Sequence, residues 1–580
     1  MKRQFLLTVM AFLTFIPMTS IAKKKTVTLK VIETSDVHGY FFPYDFIKRK
    51  PVEGSMARVM TYVKSQRAKY GKNVILLDNG DILQGQPSCY YCNYIKPDMP
   101  NVAAEVINYM GYDGQTIGNH DVETGHAVYE KWIKEVKCPM LGANVIDTST
   151  NRPYLHPYTI IERDGVKIAV MGLLTPAIPN WLNEELWKGL RFEEMVKCAR
   201  QWMSYLQEHE HPDIVIGLFH SGKEGGITTE DYEEDASLKI AREVPGFDLI
   251  LYGHDHTANK ETVRNTSGQD VVCLDPSCNA LMVGVATIDL EIGKRGRILK
   301  KQVSGEIVDV RQQSIDNDFM QHFQPAIDSV STFVDRKIGE FEKPIYSRDC
   351  YFGNAAFTDF IHDLQIQLTG ADISFNAPLS FNTSLQAGPV YVSDMFSLYR
   401  YENQLYVLRM TGEEVRKHLE MSYDLWVNTM KNPDDHIMLL NDGSTDDKQR
   451  FMFKNLAFNF DSAAGIDYEV DVTKPDGQKV RILRMSNGEP FDEHKWYKVA
   501  MNSYRGNGGG ELLTKGAGIP QKELQHRIVY QSERDQRYYL MQEIEKAGRV
   551  CPQAHNNWRF VPEEWAKPAI ARDRRLLFGE

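Results

Sequence analysis

Five short segments in the first half of the 580-residue chain concentrate side chains able to hold a divalent cation. They are Asp36-Val-His38, Gly80-Asp81, Gly118-Asn119-His120-Asp121, His220-Ser-Gly222 and Gly253-His254-Asp255-His256. A single histidine is usually a satisfied core residue and a single Gly-Asp usually a turn. Five such segments, each trailing an apolar run, are not what packing alone produces. Asp36 and His38 stand two residues apart, so an extended segment sends both side chains off one face, and the same holds for His254 and His256. Two pairs from different strands can then grip one ion. Asp81 has two carboxylate oxygens and can bridge to a second ion, for which Asn119 adds a neutral oxygen and His220 an imidazole. Gly80, Gly118, Gly222 and Gly253 let backbone approach the ions closely. Mixed nitrogen and oxygen donors without thiolate suit Zn, Mn, Fe or Co better than Ca. Two such cations side by side activate water and clamp phosphoryl oxygens, with no covalent nucleophile required. Ser221 beside His220 does not make a nucleophile–base pair, because strand neighbours point to opposite faces.

Positioning these segments calls for strands that end just before them. Runs rich in β-branched and aliphatic residues predict strands at Thr28–Glu33, Val74–Leu77, Lys167–Gly172, Ile214–Phe219 and Leu249–Tyr252. Helical periodicity falls between them, at Ser55–Lys69, Val102–Met110, Val128–Val136 and Phe192–Glu208. Strands alternating with helices indicate an α/β layered domain with its chemistry at the strand C-termini. This catalytic domain spans 23–310, a helical connector 311–338, and a second, mixed α/β domain 339–580. The connector is read from the helical stretch Ile315–Val334. The second domain is read from β-rich Leu405–Met410 and Lys498–Met501 and helical Gly412–Tyr423; Asn441–Lys448 reads as an exposed polar loop.

The five blocks resemble those of the calcineurin-like metallophosphoesterases, and among these the chain looks like the secreted nucleotidases: 5′-nucleotidases and 2′,3′-cyclic-nucleotide 2′-phosphodiesterase/3′-nucleotidases. The resemblance implies a layered β-sandwich flanked by helices, followed by a nucleotide-binding domain. It implies two divalent metal ions, one on Asp36, His38 and His256, the other on Asn119, His220 and His254, with Asp81 between them. It makes His120 the catalytic imidazole and Glu123 the acid that orients it, with Asp121 the next candidate for that task. In the second domain, Tyr399-Arg400-Tyr401-Glu402-Asn403 and Asn502-Ser-Tyr504-Arg505-Gly506-Asn507-Gly508-Gly509-Gly510 resemble the segments that bind the nucleoside. Tyr401 and Tyr504 would sandwich the base, Asn403 would join them, and the glycine run with Gly508 and Gly509 would cradle phosphate. No arginine occurs from Asp372 to Leu398, where 5′-nucleotidases place one that holds phosphate. That absence, Tyr504-Arg505, Asn556-Asn557-Trp558-Arg559 and the His254-Asp-His256 block look more like the cyclic phosphodiesterase/3′-nucleotidase branch.

Composition narrows the partners. Apolar residues make up 42% and charged residues 25%, ordinary for a globular protein. The net charge is −11 and no long basic tract occurs, so a nucleic-acid polymer is excluded as a substrate and small nucleotides remain. Lys2 and Arg3, the apolar run Phe5–Ile16 and the small residues of Ser20-Ile21-Ala22 read as a signal peptide over 1–22, which places the mature chain outside the cytoplasm, in the periplasm. The run falls short of the roughly 20 residues that span a bilayer, and no cysteine stands near the cleavage point, so no membrane anchor is expected. In an oxidising compartment, Cys89 and Cys92, or Cys273 and Cys278, are close enough to form local disulfides. Nothing in the sequence specifies an oligomeric state.

Overall fold

The structure, a computed structural model, describes residues 24–441 and 452–580. The leader expected over 1–22 lies outside these residues, as does most of the polar loop expected at 441–448. Twelve strands organise the first half: β1 (Lys25–Thr34), β2 (Val74–Asp78), β3 (Gly114–Thr116), β4 (Met140–Leu141), β5 (Tyr158–Arg163), β6 (Val166–Leu174), β7 (Ile214–His220), β8 (Leu249–Tyr252), β9 (Asn259–Arg264), β10 (Asp270–Asp275), β11 (Met282–Ile292) and β12 (Ile298–Asp309). They form two six-stranded sheets, ordered β12-β11-β1-β2-β3-β4 and β9-β10-β8-β7-β6-β5. Within the first sheet β1 to β4 run parallel, and within the second β6, β7, β8 and β10 do. The sheets pack face to face through side chains such as Val31, Leu77, Val170, Ile216 and Leu251.

Helices cover both outer faces. Members of α1 (Met56–Tyr70), α2 (Val102–Met110) and α3 (His126–Glu135) share one core with the first sheet. α4 (Met195–Tyr205) and α5 (Ser237–Glu243) share another with the second. Parallel strands covered on both faces must be apolar throughout, which is why Val74–Leu77 and Ile214–Phe219 show no alternation. The expected connector is helical, as α6 (Asn317–Val334), with Asp316 capping it by accepting from the Phe319 amide. α6 does more than connect, because Phe319, Phe323, Val330 and Val334 are buried in the core of the first half.

In the second half a five-stranded sheet runs Ser462–Ala464, Ile373–Asn376, Trp496–Asn502, Gln404–Thr411, Ile528–Asp535. The helix Gly412–Trp426 follows directly, its start closed by a capping box between Thr411 and Glu414. All eight cysteines are free thiols, so neither local disulfide is formed. Cys89 and Cys92 are buried in helical turns, and Cys273 lies within β10.

The two halves meet through buried polar contacts. Tyr90 Oη donates to Asp535 Oδ2 at 2.9 Å, and Asn183 Nδ2 donates to Gln531 Oε1 at 2.9 Å. Arg537 is fully buried, with its guanidinium 4.9 Å from the Tyr90 ring centroid and 4.0 Å from that of Phe396. Its Nε and Nη2 donate to the carbonyls of Tyr399 and Arg400 at 3.0 and 2.7 Å, and Nη1 reaches Glu402 Oε1 at 3.4 Å. One side chain thus holds the Tyr399–Asn403 segment against the first half. Arg537→Ala leaves two buried carbonyls and the Glu402 carboxylate without their donor, so the expected loss of stability is about 3 kcal/mol or more. Urea unfolding measures it, and Arg537→Lys, which keeps the charge without the planar fork, is expected to fall between the two.

Candidate metal centre

Every cation-competent segment lies just beyond a strand. Asp36 and His38 follow β1, Asp81 follows β2, Asn119 follows β3, His220 ends β7, and His254 and His256 follow β8. The parallel strands deliver all of them to one end of the sandwich. Asp36, His38, Asp81 and His256 form one group, and Asp81, His220 and His254 a second, with the donor atoms of each within 4.8 Å of one another. Asp81 belongs to both. Asn119 Oδ1 joins the second group, 3.0 Å from His220 Nε2 and 2.8 Å from His254 Nδ1.

The pairs converge by a route that differs from the expected one. Asp36, His38, His254 and His256 do not lie on extended backbone; their φ angles are 50°, 49°, 86° and 59°, and that of Asp81 is 55°. Five non-glycine residues of one site therefore occupy the left-handed region, which costs energy and persists where surroundings enforce it. Here the enforcing contacts are backbone bonds between the segments: Asp36 N–H to the Gly80 carbonyl and His38 N–H to the Asp81 carbonyl, both 3.0 Å. Two of the glycines also make room within the protein itself. A Cβ on Gly118 would lie 2.1 Å from Asp81 Oδ1, and one on Gly253 2.0 Å from Ser35 Oγ and 2.5 Å from Asp36 Oδ2. They make room for the carboxylates and their anchor.

Each carboxylate is half secured. Asp36 Oδ2 accepts from Ser35 Oγ and the His254 amide, and Asp81 Oδ1 accepts from the His120 amide at 2.8 Å. Asp36 Oδ1 and Asp81 Oδ2 are buried with no hydrogen-bond partner among the described residues. Imidazole nitrogen is what approaches them: His256 Nε2 stands 3.3 Å from the first and His220 Nε2 3.3 Å from the second. Burial opposes charge on Asp81, yet His220 and His120 hold its carboxyl well below the usual range. Burial likewise opposes charge on His220 and His256, yet Asp81 pushes the first up to about 10 and Asp36 the second up to about 11. His38 goes the other way, held down at about 3 by burial and by neighbouring His256. The pocket demands positive charge.

The tautomers suit metal ligation. His38 Nδ1 lies 3.2 Å from the Gln84 carbonyl and His220 Nδ1 2.7 Å from the Asn79 carbonyl. Each Nδ1 must donate there, which leaves Nε2, the nitrogen facing the carboxylates, as the one a cation would take. Bare carboxylate oxygens, an amide oxygen and imidazole lone pairs on one point fit divalent cations. Calcium, which prefers six to eight oxygens, is a poor match.

His120 opens the short helix Asn119–Glu123 together with Asn119, and its Nδ1 lies 2.6 Å from Glu123 Oε2. Despite burial, Asp81 and Glu123 push this imidazole up to about 9. Asp121 is neither an orienting acid nor a solvated turn residue. It is fully buried and accepts from the amides of Asp81, Ile82, Leu83 and Gly118, at 2.9, 2.9, 2.9 and 2.8 Å. Ser221 Oγ donates to the Glu234 carbonyl, away from the centre.

From the second half, Asn403 reaches the first: its Nδ2 is 3.5 Å from Glu123 Oε1. Tyr504, on the helical turn Ser503–Gly506, has its phenol pushed up to about 12, chiefly by burial, with Tyr401 and Glu234 near enough to contribute. Gly509 is a seat for this ring, since a Cβ there would lie 2.5 Å from Tyr504 Cε2. Gly508 has φ 102°, which favours glycine, and the Gly509 carbonyl accepts from Arg505. Two features of the centre escape the sequence reading. Glu234 Oε1 lies 3.0 Å from His254 Nε2, and the Trp181 ring lies 5.7 Å from that of His254.

Comparison with known proteins fits this geometry. Residues 29–258 match the calcineurin-like phosphoesterase family, and residues 337–515 match the 5′-nucleotidase C-terminal domain. The chain carries a calcineurin-like phosphoesterase domain. As a phosphoesterase it is a phosphoric ester hydrolase, and the family is one of divalent-metal enzymes. It is 27% identical to the 2′,3′-cyclic-nucleotide 2′-phosphodiesterase/3′-nucleotidase of Haemophilus influenzae, over 93% of this chain and 88% of that one. It is 24% identical to protein UshA of Escherichia coli, over 84% of this chain and 86% of that one. A Staphylococcus aureus structure described as a 5′-nucleotidase shares the fold of this phosphoesterase at a TM-score of 0.76 and 21% identity, over 92% of this chain and 99% of that one.

Asp121→Ala strips four buried amides of their acceptor, at about 1–3 kcal/mol for each left unsatisfied, although the losses do not simply add. The expected result is a folding midpoint several degrees lower, measured by thermal unfolding, and weakened retention of metal. Asp121→Asn, which keeps two acceptor sites, is expected to be milder.

Proposed function

We propose that this chain is a two-metal nucleotide phosphoesterase acting outside the cytoplasm, with 2′,3′-cyclic-nucleotide 2′-phosphodiesterase and 3′-nucleotidase activities. The carrying observation is Asp81, a buried carboxylate shared by two donor groups and left with an oxygen that no described residue satisfies. The subtype is supported by relatives from Haemophilus influenzae and other bacteria bearing that name over most of their length, and by the lack of arginine from Asp372 to Leu398. A 5′-nucleotidase on the same frame is the second reading, supported by the match of residues 337–515 to the 5′-nucleotidase C-terminal domain. The location is supported by the charged and apolar leader. Among the described residues no helix is long and apolar enough to cross a membrane.

Asp36, His38 and His256 would hold one ion and Asn119, His220 and His254 the other, with Asp81 shared. When bound, the cations supply Lewis acidity toward the phosphoryl oxygens and an activated water. The residues supply the rest. Glu123 holds His120 Nδ1 at 2.6 Å, which leaves Nε2 to deliver a proton to the departing ribose oxygen. Tyr401 and Tyr504 offer aromatic faces to the base, a contact that tolerates different bases. Asn403, whose side chain lies beside Glu123, would bring the nucleoside near the acid–imidazole pair.

Purified protein assayed on 2′,3′-cyclic AMP, 3′-AMP and 5′-AMP is expected to hydrolyse the first two with kcat/KM at least tenfold above the third. The reverse order would assign it to the 5′-nucleotidases. Chelation is expected to abolish activity and Mn²⁺ to restore it. His120→Ala is expected to lower kcat by about 10²–10⁴-fold without releasing metal. Tyr504→Ala is expected to raise KM by about 5- to 100-fold through lost stacking.

A further inference from the structure

The imidazoles of the centre are not all oriented alike. His38 and His220 are aligned by backbone carbonyls, those of Gln84 and Asn79. His254 is aligned by a carboxylate: Glu234 Oε1 lies 3.0 Å from its Nε2, while its Nδ1 faces Asn119 Oδ1 at 2.8 Å. With Nε2–H donated to a carboxylate, the lone pair on Nδ1 is both fixed in direction and made more basic.

Glu234 is itself held on every side. It sits on the strand Glu233–Asp235, which pairs with Gly225–Thr228 as a hairpin beside β7. Its Oε2 accepts from the Ile227 amide at 2.6 Å, and its carbonyl accepts from Thr175 Oγ1 at 2.9 Å and Ser221 Oγ at 3.0 Å. Gly226 makes room for it, since a Cβ there would lie 2.6 Å from Glu234 Oε2. Asp235 Oδ1 accepts from the Gly222 amide, and the Trp181 ring lies beside His254. Glu234, Asp235 and His254 also lie close enough to hold an ion by themselves. That reading is the weaker one, because both oxygens of Glu234 and one of Asp235 already have partners within the protein.

We propose that Glu234 is the positioning residue of the second metal group, setting the tautomer and direction of His254 and thereby the affinity of the ion shared by Asn119, His220 and His254. The inference rests on the two-metal reading above. It extends the functional machinery into the hairpin 225–235, which carries none of the metal-competent blocks.

The test loads metal-free full-length protein with Mn²⁺ and measures stoichiometry and affinity by calorimetry, and metal–metal coupling by electron paramagnetic resonance. Wild type is expected to bind two ions with a coupled signal. Glu234→Ala is expected to bind one ion unchanged and the other about 10- to 100-fold more weakly, with an uncoupled Mn²⁺ signal at limiting metal. Glu234→Gln keeps an acceptor for Nε2–H without the charge and is expected to recover part of the loss, which a merely structural role in the hairpin would not predict. Unchanged affinity and coupling in Glu234→Ala would overturn the proposal. So would three ions in wild type with the third lost in the variant, since the cluster would then be a binding site. Asp81→Ala separates the two levels: if it still binds a coupled pair, the two-metal reading itself fails, whereas loss of the pair there with no change in Glu234→Ala removes this inference alone.

Discussion

Asp36 and Asp81 are buried carboxylates, each with one oxygen secured by an amide or hydroxyl and the other bare. Burying charge in this way costs several kcal/mol per ion unless positive charge arrives to meet it. The response is visible around them. His220 and His256 are driven toward the charged form, and His120 leans on Asp81 through its amide and on Glu123 through its ring. A pair of divalent cations would satisfy both bare oxygens at once and release the imidazoles to act as neutral ligands. The sandwich, its helices and its glycines can all be read as what is needed to keep two anions in such a place.

Geometry is bought with backbone strain. Left-handed φ at Asp36, His38, Asp81, His254 and His256 costs roughly 1 kcal/mol or more at each position. The sheets offset it by locking the segments to one another, as Asp121 does when it gathers four amides from two loops. The same logic operates on the opposite wall. Arg537 gathers the carbonyls preceding Tyr401, and Arg505 pairs with Asp461 and ties down the loop that seats Tyr504. In each wall a buried charged side chain fixes irregular backbone that no sheet or helix can regularise.

These clamps mark the boundary of what was legible in the sequence. Strands such as Val74–Asp78 and Leu249–Tyr252 announce themselves because parallel strands covered on both faces must be unbroken apolar runs. The ligand blocks are legible because they sit at the ends of those runs. The left-handed backbone was not, because Asp and His adopt it more often than other side-chain-bearing residues yet still uncommonly, and the extended-segment geometry expected for the pairs gave way to tight turns. Asp121, read from the sequence as a candidate to orient His120, shows its different task only once its amide partners, some 40 positions upstream, are known. Glu234 and Arg537 each stand among other charged residues, and only tertiary contacts 20 and 138 positions away give them a task.

The two donor groups are not equivalent in their exposure. His220 is wholly buried and its Nδ1 is fastened to a strand-end carbonyl, whereas the His256 side chain is 41% exposed. The Asp36–His38–His256 group therefore opens to solvent through His256, and the His220 group is the more enclosed. His254, between them in sequence, lies against Trp181, whose carbonyl receives Asn507 from the second half. His120 and Glu123 lie on the side from which Asn403 approaches. On the reading proposed above, the wall that brings Asn403 to Glu123 would serve both the nucleoside and the acid–imidazole pair.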